Sequence, residues 1–273
     1  MHPILRRFGK SLLEIVLPAA EHLTGFRTAR GDYLPNRIKL LFGRYEAGEM
    51  TLMRQFLRPG QTIVDVGANV GYLTRFFAQS TGPNGKVCAF EPNPIIFPLL
   101  ERNVSRFKQV SVYNFALAAT TGELPLFLAG NDHSVASFAR EYPAAHVFYQ
   151  ESSRLDSIPV KLVAGDKFLA ETGINQMDIL KIDVEGWELN VLHGLERTIR
   201  ASPGLTIFCE FNPTAQECAG RSKGELLNWF FDRQFALARP SRNELRPISR
   251  PSLDNFIDAI EPGQFVTLFA TRE

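Results

Sequence analysis

Cysteine is scarce in this chain, with three in 273 residues: Cys88, Cys209 and Cys218. Their spacing forms neither a disulfide framework nor a metal-binding pair. Cys88 and Cys209 lie within apolar runs and read as small buried hydrophobes, which suits a reducing, cytoplasmic setting. Charge of one sign is also missing. The formal net charge is +1, so global electrostatics do not point to a nucleic-acid partner. No apolar run is long enough to span a bilayer, and neither an internal repeat nor a low-complexity tract is visible. What remains is ordinary globular composition, 45% hydrophobic and 22% charged, at a length that allows one large domain or two small ones.

The N-terminus carries Arg6, Arg7 and Lys10 ahead of the apolar stretch Ser11 to Ala20. Glu14 interrupts that stretch, so the likeness to a signal peptide is superficial. Leu5, Phe8, Leu12, Ile15 and Val16 share one side of a helix. Such a helix either packs on the domain or lies in the plane of a membrane with its basic residues outward. Residues 1–45 therefore read as a helical, basic extension and 46–273 as the main domain.

Within that domain the decisive stretch is Ile63-Val64-Asp65-Val66-Gly67-Ala68-Asn69-Val70-Gly71. It predicts a buried strand, a tight turn and a helix beginning at Tyr72. Glycine in such a turn lets backbone approach a ligand closely. A second strand, Lys86 to Phe90, ends in Glu91. Pro92-Asn93-Pro94 then opens a helix, with Asn93 as its cap. Val110 to Phe115 reads as a third strand, and Leu117 to Leu128 as a hairpin turning at Thr121-Gly122. Asn131 to Ser157 shows no clear period and has the length of a lid or substrate wall. Asp178 to Asp183 and Leu205 to Glu210 are further core strands. Trp187, Val191, Leu195 and Ile199 mark the core face of a helix between them. Phe235 to Ala238 and Phe265 to Ala270 close the sheet around a basic insertion, Arg239 to Arg250. The alternation predicts an α/β fold with a doubly wound, mostly parallel sheet.

The turn does not supply the Gly-x-Gly-x-x-Gly pattern of a dinucleotide site, and no Gly-Lys-Ser/Thr follows it. Asp65 would repel a pyrophosphate but suits an ammonium. Glu91, at the end of the next strand, can accept both ribose hydroxyls. A nucleoside joined to an amino acid is S-adenosylmethionine. The competing reading has Asp65 capping its turn and Glu91 capping the next helix.

Val64 to Gly71, Phe90-Glu91-Pro92-Asn93 and Leu180-Lys181-Ile182-Asp183-Val184-Glu185-Gly186-Trp187-Glu188 together resemble the signatures of FkbM-type methyltransferases, which are class I S-adenosylmethionine-dependent enzymes. The similarity runs from about Glu46 to Glu210. It implies a seven-stranded Rossmann-like sheet and methylation of a hydroxyl on a sugar, glycolipid or natural-product acceptor. It also implies that Asp65, Gly67, Asn69 and Gly71 line the methionine moiety. Glu91 would hold the ribose, with Pro92 and Asn93 nearby, and Ala116 and Leu117 would approach the adenine. Asp183, ending the fourth core strand, is expected to orient or deprotonate the acceptor hydroxyl, and Glu185 to shape the same site. Glu185 reads equally well as an acid favoured by a helix N-terminus. His133, in the aperiodic segment, is a second base candidate or an exposed loop residue. A metal-assisted version would draw on Asp183, Glu210 and Asn212 as hard oxygen ligands, a weak signal that assigns no metal. An N-methyltransferase and a catalytically silent cofactor-binding module are the alternatives.

Overall fold

The computed structural model describes residues 16–129, 132–142 and 155–272, and for Asp132–Val135 and Leu155 the backbone alone. The N-terminal face expected from Leu5, Phe8, Leu12 and Ile15 lies outside the described residues. Residues 16–24 are helical, and there Val16 is exposed while Leu17 is buried.

Five strands form the parallel centre: β1 (Thr62–Val66), β2 (Lys86–Phe90), β3 (Val110–Tyr113), β8 (Ile179–Ile182) and β9 (Thr206–Phe211). Their near-continuous apolar sequences follow from burial on both faces. Along β1, Ile63 packs with Phe76, Phe77, Phe208 and Phe269 on one face. Its neighbour Val64 packs with Leu180, Leu189, Leu192 and Phe230 on the other. This is the period-two alternation of a strand between two helical layers. Antiparallel strands complete one edge: β12 (Val266–Thr271) on β9, β10 (Ala236–Ser241) on β12, and β11 (Glu244–Ile248) on β10.

The sheet thus has eight strands, in the order β11-β10-β12-β9-β8-β1-β2-β3. Seven were expected, and β11 is the addition. The basic insertion at Arg239 to Arg250 is largely the β10–β11 hairpin, whose turn holds Arg242 at φ 57°.

The chain adds β2 and β3 on one side of β1, then returns to add β8 and β9 on the other. This reversal is the switch point at which open α/β sheets bind ligands. The register makes it a flat ledge. Val66 lies opposite both Phe90 and Ile182, and Ile182 opposite Cys209. Gly67, Glu91 and Asp183, just past their strands, therefore stand level with Glu210 inside β9.

A second sheet has the order β4-β7-β5-β6, from β4 (Ala116–Ala118), β5 (Gly122–Ala129), β6 (Asp132–Ser137) and β7 (Leu155–Ala164). The expected hairpin across Thr121-Gly122 is absent. β7 lies between β4 and β5, parallel to the first and antiparallel to the second. The helix after β2 begins at Phe97 rather than Pro94, and the Asn93 side chain accepts the Ile95 N–H in the preceding turn. The helix expected over Trp187 to Ile199 is broken into Glu188–Gly194 and Glu196–Ala201 at Leu195.

The segment before residue 46 shares a core with the sheet. Leu17, Phe26, Ala29 and Leu41 pack with Val70 and Ile96. Asn103 staples the two together. Its amide donates to the carbonyls of Arg27 and Val70 at 2.8 and 2.7 Å, and its Oδ1 accepts the Arg27 N–H at 2.7 Å. Among the described residues, no helix is long and apolar enough to cross a membrane.

Candidate active site

The turn after β1 explains the first motif. Gly67 has φ 78°, and a Cβ there would meet the Asp183 carbonyl oxygen at 1.8 Å. Only glycine lets the ends of β1 and β8 come this close. Asn69 adopts a left-handed conformation, φ 48°, which asparagine tolerates by bonding locally. Its Oδ1 accepts the Val70 N–H at 2.6 Å. Gly71, also left-handed, abuts Leu100 and Val104 of the helix Phe97–Val104 and packs this helix against the turn.

A cavity opens over the ledge. Of the candidate residues, Gly67, Asn69, Glu91, Pro92, Ala116, Leu117, Asp183 and Glu185 line it. Asp65, Gly71 and Asn93 do not. Asp65 sits inside β1 with no exposure, accepts the Thr74 hydroxyl at 2.6 Å and faces Lys181 Nζ at 3.6 Å. Burial raises its pKa, against the pull of Lys181. Asn93 contributes its backbone N–H, which Glu91 Oε1 accepts at 2.8 Å, while Glu91 Oε2 accepts the Asn69 N–H at 2.9 Å. Glu91 is thereby fixed to the glycine turn. His133 belongs to β6, but its side chain lies outside the described residues.

Lys181, quoted in a motif but given no role, proves central. It is a buried lysine on an otherwise apolar strand, which is tolerated only with partners. Its Nζ donates to the Gly67 carbonyl at 2.6 Å and pairs with Asp183 at 3.3 Å and Asp65 at 3.6 Å. Those carboxylates raise its pKa in spite of burial. One ammonium thus ties the glycine turn to the end of β8.

The turn after β8 is equally constrained. Glu185 has φ 50°, and its carbonyl accepts the Ser137 hydroxyl at 2.6 Å. Glu188 accepts the Val184 and Gly186 N–H groups and the Gln216 amide. One carboxylate oxygen each from Asp183, Glu185 and Glu210 lie within 4.8 Å of one another. Desolvation first, then the Asp183 charge, push the Glu185 and Glu210 carboxyls well above the usual range. Asn212 is not part of this cluster. It caps the helix Pro213–Cys218 by accepting the Thr214 and Ala215 N–H groups, and its amide donates to Tyr142. Both polar atoms of the Asn212 side chain thus have protein partners.

Part of the remaining wall comes from the segment expected to form a lid or substrate wall, in Ala136 and Phe138. Trp187, expected in the core, lines the cavity and packs on Phe138 with ring centroids 4.8 Å apart. Leu126 and Ala136 of the second sheet, and Tyr45 and Glu46 of the segment before β1, also line it. Burial moves the Glu46 carboxyl up to about 8 and those of Glu91 and Glu188 up to about 7.

These raised values make the ligand-free fold weaker at higher pH. The native state holds protons that the unfolded chain has already released above its ordinary value of 4.5. Stability therefore falls as pH rises. The melting temperature of the ligand-free chain should decline between about pH 5 and 8. A melting temperature that climbs through this window would contradict the assignment.

The fit to S-adenosylmethionine rests on this geometry. Glu91 is held by two backbone N–H groups beside an apolar wall of Phe90, Phe115, Ala116 and Leu117, and the glycine turn lies next to it. Comparison with known proteins gives the family. The family described as Methyltransferase FkbM domain matches residues 65–237. The 31-O-demethyl-FK506 methyltransferase FkbM of Streptomyces tacrolimicus is 32% identical over 51% of this chain and 61% of its own length. The hexuronic acid methyltransferase AglP of Haloferax volcanii is 28% identical over 56% of this chain and 59% of its own. The chain thus spans about three-fifths of the length of these relatives. Among solved structures, an S-adenosylmethionine-dependent O-methyltransferase from Thermotoga maritima is similar at 15% identity and TM-score 0.41, over 82% of this chain and 64% of that one. The match across most of the sheet and its ligand ledge shows that this chain belongs to the FkbM-domain family of S-adenosylmethionine-dependent methyltransferases.

Proposed function

We propose that the chain methylates a hydroxyl group on a sugar, glycolipid or natural-product acceptor. The observation that carries this reading is the ledge itself. Gly67 and Glu91 share one cavity with Asp183 and Glu210, so a nucleoside-binding edge adjoins a set of carboxylates. The relatives named for a 31-O-demethyl substrate and for a hexuronic acid support the acceptor class.

Bound S-adenosylmethionine supplies a methyl group already activated for displacement, so the protein's task is alignment and proton handling. Glu91 offers carboxylate oxygens to the ribose, and Asn69 and Gly67 border the methionine side. Asp183, the carboxylate paired with Lys181, accepts the proton of the acceptor hydroxyl. Glu185 and Glu210, whose carboxyls burial and the Asp183 charge push well above the usual range, line the same cavity and offer hydrogen bonds to the acceptor. Leu126, Ala136, Phe138 and Trp187 form the acceptor wall. His133 shares β6 with Ala136 and stays as the second base candidate.

Calorimetry with S-adenosylhomocysteine, followed by product assays on paired hydroxyl and amine acceptors, tests this. Binding and transfer to a hydroxyl are expected. Transfer confined to amines would overturn the acceptor chemistry, and no binding would overturn the cofactor.

A further inference from the structure

Asp65 was the residue expected to meet the ammonium of the cofactor's methionine end, and the structure leaves that role open. Asp65 is walled off from the cavity and already faces Thr74 and Lys181. The cavity nevertheless has a strong bias towards cations. Asp32, Glu46, Glu91, Asp183, Glu185 and Glu210 line it against a single base, Lys181, among the described residues. Lys181 is in turn shared by Asp65, Asp183 and the Gly67 carbonyl.

Glu46 stands out within that set. It lines the same cavity as Gly67 and Asn69. Its backbone is left-handed, φ 47°, immediately before the helix Ala47–Met53. A non-glycine residue keeps such a conformation only where its surroundings enforce it. Here they do. Tyr45 packs edge-on against Tyr72 at 5.8 Å, and the Asn103 staple holds the preceding segment to Val70. The groups around the Glu46 carboxyl are Tyr45, Glu49, Tyr72, Lys181, Asp183 and Glu210. Glu46 is thus an acid among acids, beside a lysine with other partners. An ammonium, which donates hydrogen bonds as a sulfonium does not, is the ligand group that matches it.

We propose that Glu46, supplied by the segment preceding the sheet, receives the ammonium of the methionine moiety in place of Asp65. This rests on S-adenosylmethionine occupying the cavity. The segment before β1 is then part of the cofactor site.

The test compares S-adenosylhomocysteine with 5′-methylthioadenosine, which keeps the nucleoside and lacks the amino-acid end. Glu46→Gln should weaken S-adenosylhomocysteine about 10- to 100-fold, the scale of a lost charge-assisted hydrogen bond, and leave methylthioadenosine within about threefold. A measurement on the unaltered chain avoids dependence on that variant's folding. An ammonium arriving at a carboxyl held up to about 8 should displace its proton. Calorimetry at pH 7 in buffers of different ionisation enthalpy should show close to one more proton released with S-adenosylhomocysteine than with methylthioadenosine. Equal proton release, or equal weakening of both ligands by Glu46→Gln, overturns the inference and leaves the cofactor standing. Failure of both ligands to bind the unaltered chain overturns cofactor and inference together.

Discussion

Replacing Asp183 by Asn lowers turnover about 10²- to 10⁴-fold, the usual contribution of a positioned general base, while the affinity for S-adenosylhomocysteine changes only a few-fold. The substitution keeps the side chain's size and its place at the end of β8, and removes the charge that faces Lys181 at 3.3 Å. Cofactor contacts assigned to Gly67, Asn69 and Glu91 are untouched. Asp183 is also among the charges that push Glu185 and Glu210 upward. Its loss should let those carboxyls ionise at lower pH. Residual activity should therefore gain with rising pH, as one of them takes over as a weaker base. Single-turnover rates across pH 6 to 9 would show this. Near-normal turnover in the Asn variant would remove Asp183 from the role.

Replacing Lys181 by Met is expected to be the most damaging single change to the fold. It strips the cation from Asp65, which has no exposure and whose remaining hydrogen bond is to Thr74. Removing one partner of a buried pair costs about 3–5 kcal/mol, or roughly 6–20 °C in melting temperature for a chain of this size. The loss should be smaller at low pH, because Asp65, already shifted upward by burial, can then be buried neutral. Combining Lys181→Met with Asp65→Asn should restore part of the stability, since no lone charge remains inside. Chemical denaturation of the single and double variants at pH 6 and pH 8 checks both statements. Equal stability of the unaltered chain and the Met variant would mean that Lys181 acts on the ligand alone.

What could be read in advance was local. The turn after β1, the acid ending β2 and the acid ending β8 are each written in a few consecutive residues, and the register brings them level. The role of Asp65 was misread for a reason that the strand period contains. Asp65 falls inside β1 on the same side as Ile63, under the helix that carries Thr74, while a ligand at the sheet edge meets the residues after the strand. Lys181 had a usable signal, a lone base in an apolar strand, that spacing rules for catalysis do not weigh. Glu46 and Trp187 gave none. Their place on the cavity depends on how segments distant in sequence fold over the ledge. The eighth strand was hidden because the Ser241–Glu244 turn carries no glycine, and Arg242 takes up the left-handed conformation. The partners of β4 and β5 were hidden because both lie on β7, more than 25 residues further along.

That position of β7 also sets an order of assembly. β4, which carries Ala116 and Leu117 of the cavity wall, is made early, yet its ladder partner Leu162–Ala164 comes only after the whole of β5 and β6. Pairings between distant segments close large loops and form slowly. During synthesis, β1 to β3 emerge well before the β7 segment that joins β4 to β5, and β8 and β9 follow only after that. The second sheet thus waits for its own middle strand, and the carboxylate side of the cavity, with Asp183 and Glu210, is made later still.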